Sequence, residues 1–292
     1  DNVPRGTSLM KNKNDFFLYS VRDELTSNDS FNLYWDKKRK IAWTDVSNTK
    51  DLSKYYKSDQ YISHNTMNKS FIQILYNVVR SIMFHYKYRT LKSFVKPLDK
   101  LLDIGCGVGN FLSFMIKKNL KVTGIENNGI ALEICKKKNL KVYDSIENLP
   151  HELFDIVSLW HVLEHLPRPN KIIEKIYDLL SSEGVLVIAV PNFSSHDREH
   201  YQNKWAALDV PRHLWHFTPD GLEEMLSSAG FELLKKYPLF FDVFYISFLS
   251  EKHKGNKLAF ILAAIKGCYF CILSFFTKKH STISFVFKKQ SP

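Results

Sequence analysis

Cysteine is scarce in this sequence. Four residues in 292 carry a thiol (Cys106, Cys135, Cys268 and Cys271), and none precedes position 106. So few thiols exclude a disulfide framework of the kind that staples small secreted domains. The first thirty residues contain no apolar run long enough for the core of a signal peptide, so a reducing cytoplasm is the expected setting. The opening DNVPRGTSL before Met10 resembles a leftover protease site and is set aside. Nothing in the composition marks disorder: 45% hydrophobic and 24% charged residues are enough, at this length, for a substantial core.

A dinucleotide fingerprint is also missing. Residues 101–112 read LLDIGCGVGNFL, an apolar strand, an acid and a glycine-rich turn, followed by a helix-period run through Phe111, Leu112, Met115 and Ile116. Glycine at alternate positions lets the backbone reach φ > 0 and keeps Cβ atoms away from a ligand lying across the strand end. A pyrophosphate site needs Gly-x-Gly-x-x-Gly, and the third position here is Asn110. The sequence has Gly105, Gly107 and Gly109 instead, preceded by Asp103, whose carboxylate suits a ligand ammonium better than a pyrophosphate. Charge complementarity therefore disfavours a nicotinamide dinucleotide.

Further segments follow in order: 122–126 (VTGIE), 141–144 (KVYD), 154–160 (FDIVSLW), 161–166 (HVLEHL) and 184–192 (GVLVIAVPN). In this order and spacing, from about residue 98 to 237, the chain resembles the class I S-adenosylmethionine-dependent methyltransferases. The resemblance implies a doubly wound α/β fold with a Rossmann-like seven-stranded sheet, whose last two strands form an antiparallel hairpin. It implies S-adenosylmethionine as cofactor, with S-adenosylhomocysteine as product. Asp103, Gly105, Cys106, Gly107 and Gly109 would then form the cofactor cradle. Glu126 would accept hydrogen bonds from both ribose hydroxyls, and Asp144 would lie near the adenine amino group. Trp160 and His161 would stand where the chain closes over the cofactor. Four segments are expected: a flap (1–60), a helical lid and linker (61–96), the cofactor-binding core (97–237), and a helical insertion with the last strand (238–292).

Within that resemblance, residues 19–64 are similar to the leader of a bacterial small-molecule, ubiquinone-biosynthesis-like O-methyltransferase subgroup that carries a four-thiolate zinc ribbon. This chain has no thiolate there, so the metal site is expected to be lost and no metal is expected elsewhere. Alternation of Phe31, Leu33 and Trp35, then Ile41 and Trp43, predicts a small β-rich flap. Tyr55, Tyr56 and Tyr61 in LSKYYKSDQYISHN (52–65) either fold over the cofactor as a lid or pack on a neighbouring helix. Residues 71–91 read as an amphipathic helix with Ile74, Leu75, Val78, Val79 and Ile82 on one side.

Methyl transfer to a hydroxyl requires in-line placement and a proton acceptor, and histidine suits the second task. Candidates are His161 and His165 after the fourth strand, His196 and His200 after the fifth, and His213 and His216 in DVPRHLWHFTP (209–219). His165 is the first choice for the catalytic base and His213 the second. Asp209 and Arg212 could pair with each other or present a charged contact to the acceptor. Trp205 and Trp215 could stack on an acceptor ring or belong to the core.

The excess of 41 Lys and Arg over 30 Asp and Glu, a formal charge of +11, invites a nucleic-acid reading. The lysines are dispersed in pairs and triplets, however, and the Asn/Asp-Pro-Pro-aromatic of base-amino methyltransferases is replaced by SLWHVLEH, so no nucleic acid is expected. Residues 258–276 (LAFILAAIKGCYFCILSFF) are almost wholly apolar, flanked by lysines at 252, 254, 257, 278 and 279. Three readings stand: a buried or homodimer-forming helix pair, peripheral attachment at the inner membrane surface, and a true span. Lys266 argues against a span, at roughly 2.5–3.5 kcal/mol for a lysine at the centre. Cys268 and Cys271, one helical turn apart, are expected to be packing residues. The expected reaction is O-methylation of a small molecule, sugar or lipid-linked acceptor. N-methylation of an amine or amino sugar, or a cofactor-binding regulatory or scaffold protein without turnover, remain the alternatives.

Overall fold

The computed structural model describes residues 15–49, 51–56 and 71–290, and for 71–79 the backbone alone. Two sheets organise it. Strands β1 (Asp15–Arg22), β2 (Ser30–Asp36) and β3 (Ile41–Thr44) form the flap. They are followed by helix α1 (Phe71–Leu91), β4 (Lys100–Ile104), α2 (Asn110–Ile116), β5 (Lys121–Ile125), α3 (Gly129–Lys137), β6 (Val142–Tyr143) and β7 (Phe154–Trp160). The chain continues through α4 (Pro169–Leu179), β8 (Leu180–Pro191), α5 (His196–Tyr201), β9 (Trp215–Phe217), α6 (Pro219–Ser228), β10 (Phe231–Pro238), α7 (Asp242–His253), α8 (Ala259–Thr277) and β11 (Thr282–Lys289).

The central sheet runs β10-β11-β8-β7-β4-β5-β6. Strands β4 to β8 pair in parallel. Their sequences are almost continuously apolar because both faces are covered. Alternation still sorts the side chains. Leu101, Ile156, Val185, Val187 and Val286 face α1 to α3, whereas Leu102, Val157, Leu186, Ile188, Phe285 and Phe287 face α4 and α6. The last two strands pair antiparallel, as the resemblance implied, with β11 inserted between β8 and β10. They are not joined by a tight turn, since α7 and α8 lie between them.

The flap is β-rich as its alternation predicts, but it is not self-contained. Its fourth strand is β9, so Ile41 to Trp43 pair with Trp215 to Phe217 from the far side of the cofactor-binding segment. Phe31, Leu33 and Ala42 then pack with Tyr201, Trp205, Val243 and Phe270 in a third apolar cluster.

Of the face predicted for α1, Ile82 has a described side chain and is exposed. Toward α2 the helix turns the half-buried Phe84 and Tyr88, which pack against Phe111 and Phe114, and the buried Leu91 follows at helical spacing. The side chains of Ile74, Leu75, Val78 and Val79 lie outside the described residues, as does Tyr61. Tyr55 is buried on Phe31 and donates to Asp29 (2.8 Å), a packing role, whereas the Tyr56 ring stands 6.3 Å from that of His165.

Candidate active site

The sheet winds outward in opposite directions from β4 and β7, so their carboxyl ends border the crevice where open α/β sheets hold ligands. The glycine turn leaves β4 at this point. Amides of Gly105 and Cys106 both donate to the Ile125 carbonyl, at 2.8 and 3.0 Å, which folds the turn back over β5. Gly105, Gly107 and Gly109 all have positive φ (72°, 54° and 72°). Their surroundings differ in a way that locates the crevice. A Cβ on Gly105 would lie 2.4 Å from Val162 and one on Gly109 2.3 Å from Leu140, but one on Gly107 would meet nothing within 4 Å. The middle glycine therefore faces open space.

Glu126 lies at the end of β5, directly against this opening. One carboxylate oxygen accepts from the Gly107 amide and the other from the Asn128 amide, each at 2.8 Å. This fixes the carboxylate and leaves further lone pairs for a ligand hydroxyl pair. Asp144, just past β6, is exposed and accepts from the Asn148 side chain at 2.6 Å. Asp103 is 3% exposed and accepts from the Ser158 hydroxyl on the neighbouring strand (2.6 Å). Burial pushes its carboxyl up to about 6, against the pull of Ser158 and Lys87. Cys106 and Cys135 are buried free thiols, and burial raises both.

Lys87 was not anticipated from the sequence. Its ammonium lies 4.5 Å from the Trp160 ring centre and 5.5 Å from that of Phe111, with Asp103 and Asp242 acting on it electrostatically. Burial lowers its pKa. The Trp160 indole N–H is buried without a hydrogen-bond partner. This end of the crevice thus accommodates a cation between an aromatic face and carboxylates.

Three histidines surround Glu164, two from the segment after β7 and His213 from the loop before β9. His161 takes a left-handed backbone conformation (φ 58°), and its amide donates to Ala189. Its ring lies between Asp242 (Nε2 to Oδ2, 3.2 Å) and Glu164 (Nδ1 to Oε1, 3.5 Å). Burial opposes the charged imidazolium, but these two carboxylates outweigh it and raise the pKa to about 9. Glu164 is 1% exposed, and neither of its carboxylate oxygens accepts a hydrogen bond. The Nδ1 atoms of His165 and His213 lie 3.0 and 2.8 Å from the carbonyls of Arg212 and Ala207. A carbonyl only accepts, so each Nδ1 carries a proton. The two rings meet edge to face at 4.6 Å. Burial and His213 depress His165 to about 4, so it is neutral near pH 7. Ligand atoms of Glu164, His165 and His213 lie within 4.8 Å of one another, a spacing that also admits a cation, where no metal is expected from the sequence.

The other candidates are placed elsewhere. His196 contacts Thr277 and His200 contacts Lys266, both on α8. The Thr44 hydroxyl donates to the His213 carbonyl, so it must accept from His216 Nε2, and that buried ring ties β3 to β9. Asp209 and Arg212 pair with each other. Arg212, 2% exposed, also bonds Asp23, Thr26 and the Tyr55 carbonyl, so it clamps the flap and does not face an acceptor. Trp205 and Trp215 are core residues, with their indole N–H groups donating to Asp197 and to the Leu166 carbonyl.

Sheet order and crevice together define a doubly wound α/β protein with a nucleoside-type cofactor site. A family model described as a methyltransferase domain matches residues 79–236, just over half of the chain, and the chain belongs to this family, the class I S-adenosylmethionine-dependent methyltransferases. It is similar to the ubiquinone biosynthesis O-methyltransferase of Rickettsia canadensis, 24% identical over 66% of this chain and 87% of that one. Its similarity to the enzyme of the same name from Actinobacillus pleuropneumoniae is 31% but covers 32% of this chain and less than half, 46%, of the relative. A crystal structure of coclaurine N-methyltransferase bound to N-methylheliamine and S-adenosylhomocysteine has a TM-score of 0.50 at 13% identity, covering 77% of this chain and 74% of that one, a likeness of fold. The crevice fits the family's methyl donor, with open space over Gly107 and a fixed carboxylate beside it for a hydroxyl pair.

Proposed function

We propose that the chain transfers the methyl group of S-adenosylmethionine to an oxygen of a small-molecule, sugar or lipid-linked acceptor. Glu126 holds the ribose hydroxyls, the turn from Asp103 through Gly109 with Cys106 receives the methionyl portion, and Trp160 and His161 border the donor. Asp144 marks the adenine side. When bound, the donor supplies an already activated methyl group, which leaves the protein to position the acceptor and take up its proton.

The observation that carries the oxygen reading is His165, whose Nδ1 is fixed by the Arg212 carbonyl and whose burial keeps the ring neutral, with a lone pair at Nε2. A hydroxyl must lose a proton to become a competent nucleophile, whereas a neutral amine already has its lone pair. His165 is the first base and His213 supports it. The names of the two O-methyltransferase relatives agree with an oxygen acceptor. The test is release of S-adenosylhomocysteine with matched panels of hydroxylated and amine acceptors, including lipid-linked phenols and sugars. Turnover with hydroxylated compounds is expected. Turnover confined to amines would refute the oxygen reading, and cofactor binding without turnover on any panel would favour a regulatory role.

A further inference from the structure

Helix α8 has two unlike faces. Ala259, Ala263, Gly267, Phe270 and Ser274 are buried, at the spacing of one helical stripe. A Cβ on Gly267 would lie 2.4 Å from Phe244, so α8 and α7 pack in close contact there. The opposite stripe is apolar and exposed: Ile261 54%, Ile265 63%, Tyr269 59%, Ile272 64% and Phe276 75%, with Phe260 at 74% beside it. An apolar surface of this extent on one helix marks an interaction site.

Lys266 does not interrupt that surface. It turns toward the packed side, where its ammonium meets the fully buried Glu251 at 2.7 Å and lies over the Tyr201 ring. The exposed face of α8 therefore carries no charge, while Lys252, Lys254 and Lys257 stand before it and Lys278 and Lys279 after it, all exposed.

The helix is long and apolar enough to cross a bilayer, yet the fold forbids it. Strand β10, before the two helices, and β11, after them, are hydrogen-bonded neighbours with Pro238 opposite Ile283. Both ends of the insertion are thus held on one side. A crossing by α8 would need a second crossing by α7, whose 12 residues rise only about 18 Å, short of the ~30 Å hydrocarbon core.

We propose that this face of α8 lies in the plane of a membrane surface, with Phe260, Ile265, Ile272 and Phe276 among the acyl chains and the flanking lysines against anionic headgroups. A second copy of the chain fits less well. Either alignment of two such helices sets lysines against lysines, and 258–276 contains no acid to offset them. Helix α7, which packs against α8 through Phe244, also carries Asp242 to His161, so one helix links the docked one to the candidate active site.

The test is flotation of the full chain with vesicles of phosphatidylcholine alone or with about a third phosphatidylglycerol, alongside its mass in solution. The expected result is flotation with the anionic vesicles, at least tenfold weaker with phosphatidylcholine alone. A double variant, Ile265→Glu with Ile272→Glu, should lose flotation while keeping its thermal midpoint and its affinity for S-adenosylmethionine. The variant Lys278→Glu with Lys279→Glu, which leaves the apolar stripe intact, should lose the preference for anionic lipid. Failure of the parent chain to float overturns the proposal. So does flotation of the Ile265 and Ile272 variant at parental levels, or a parental dimer that this variant dissociates. Cofactor affinity and turnover in detergent report separately on the methyltransferase reading.

Discussion

Replacing Glu126 by Ala removes the carboxylate that the Gly107 and Asn128 amides hold at 2.8 Å and that faces the open side of the turn. The two amides lie at a part-buried position where water can replace the carboxylate, so the loss should fall on ligand binding more than on folding. A hydrogen bond to a charged group contributes about 1.5–3 kcal/mol, and two ribose hydroxyls would lose theirs together. Taking the lower value for each gives about 3 kcal/mol, or about a hundredfold in Kd at 1.4 kcal/mol per tenfold. Isothermal titration with S-adenosylmethionine reads this directly, and circular dichroism with a thermal melt shows whether the variant is folded. Glu126→Gln should fall between the two, because its amide N–H would oppose one of the two backbone N–H donors. A folded Glu126→Ala protein whose Kd stays within about threefold of the parent would show that the ribose is held elsewhere, and the proposed orientation of the donor would fall.

Four further outcomes are expected. His165→Ala should lower turnover about 10²–10⁴-fold with donor affinity unchanged. Because His165 is depressed to about 4, it should add no limb to the rate profile between pH 5.5 and 8, and a limb there that vanishes in the variant would contradict the assignment. His161 is raised from about 6.5 to about 9, so its contribution to stability should be complete below about pH 6.5 and lost as pH rises through 9. The melting temperature of the parent should therefore decline over that interval more than that of His161→Gln, and parallel curves would remove the ion pairs from the account. Arg212→Met leaves Asp23 and Asp209 without their buried cation and should destabilise the fold by about 3–5 kcal/mol in urea unfolding; a loss below 1 kcal/mol would show the clamp to be dispensable. Treatment with EDTA should leave turnover intact, since the histidine reading needs no cation. Loss that Mn²⁺ or Mg²⁺ restores would make Glu164, His165 and His213 a metal site.

The legible parts of the chain were those fixed by local spacing. Short apolar runs place β4, β7 and β8, and the turn at 105–109 marks a ligand crevice because alternate glycines permit a backbone that other residues resist. Glu126, His161 and His165 follow from their positions just past strand ends, whereas His213 joins them only through the fold. Glu164 lay within the same hexapeptide, but its burial among His161, His165 and His213 shows only in three dimensions. Lys87 and Asp242 carried no signal, because α1 and α7 reach the crevice through packing that no sequence interval records.

The ordered motifs and the turn chemistry, through the family resemblance they carry, thus indicated the class of fold, the expected place of the cofactor and the candidate base. Tertiary structure alone decided the rest. It paired β3 with β9, joined Arg212 to Asp23 across 189 positions, and turned Lys266 inward to Glu251, which left one side of α8 wholly apolar. The division has a physical cause: backbone geometry depends on neighbours a few residues away, whereas the partner of a charge or of an apolar face is set by which distant segments the completed sheet brings within reach.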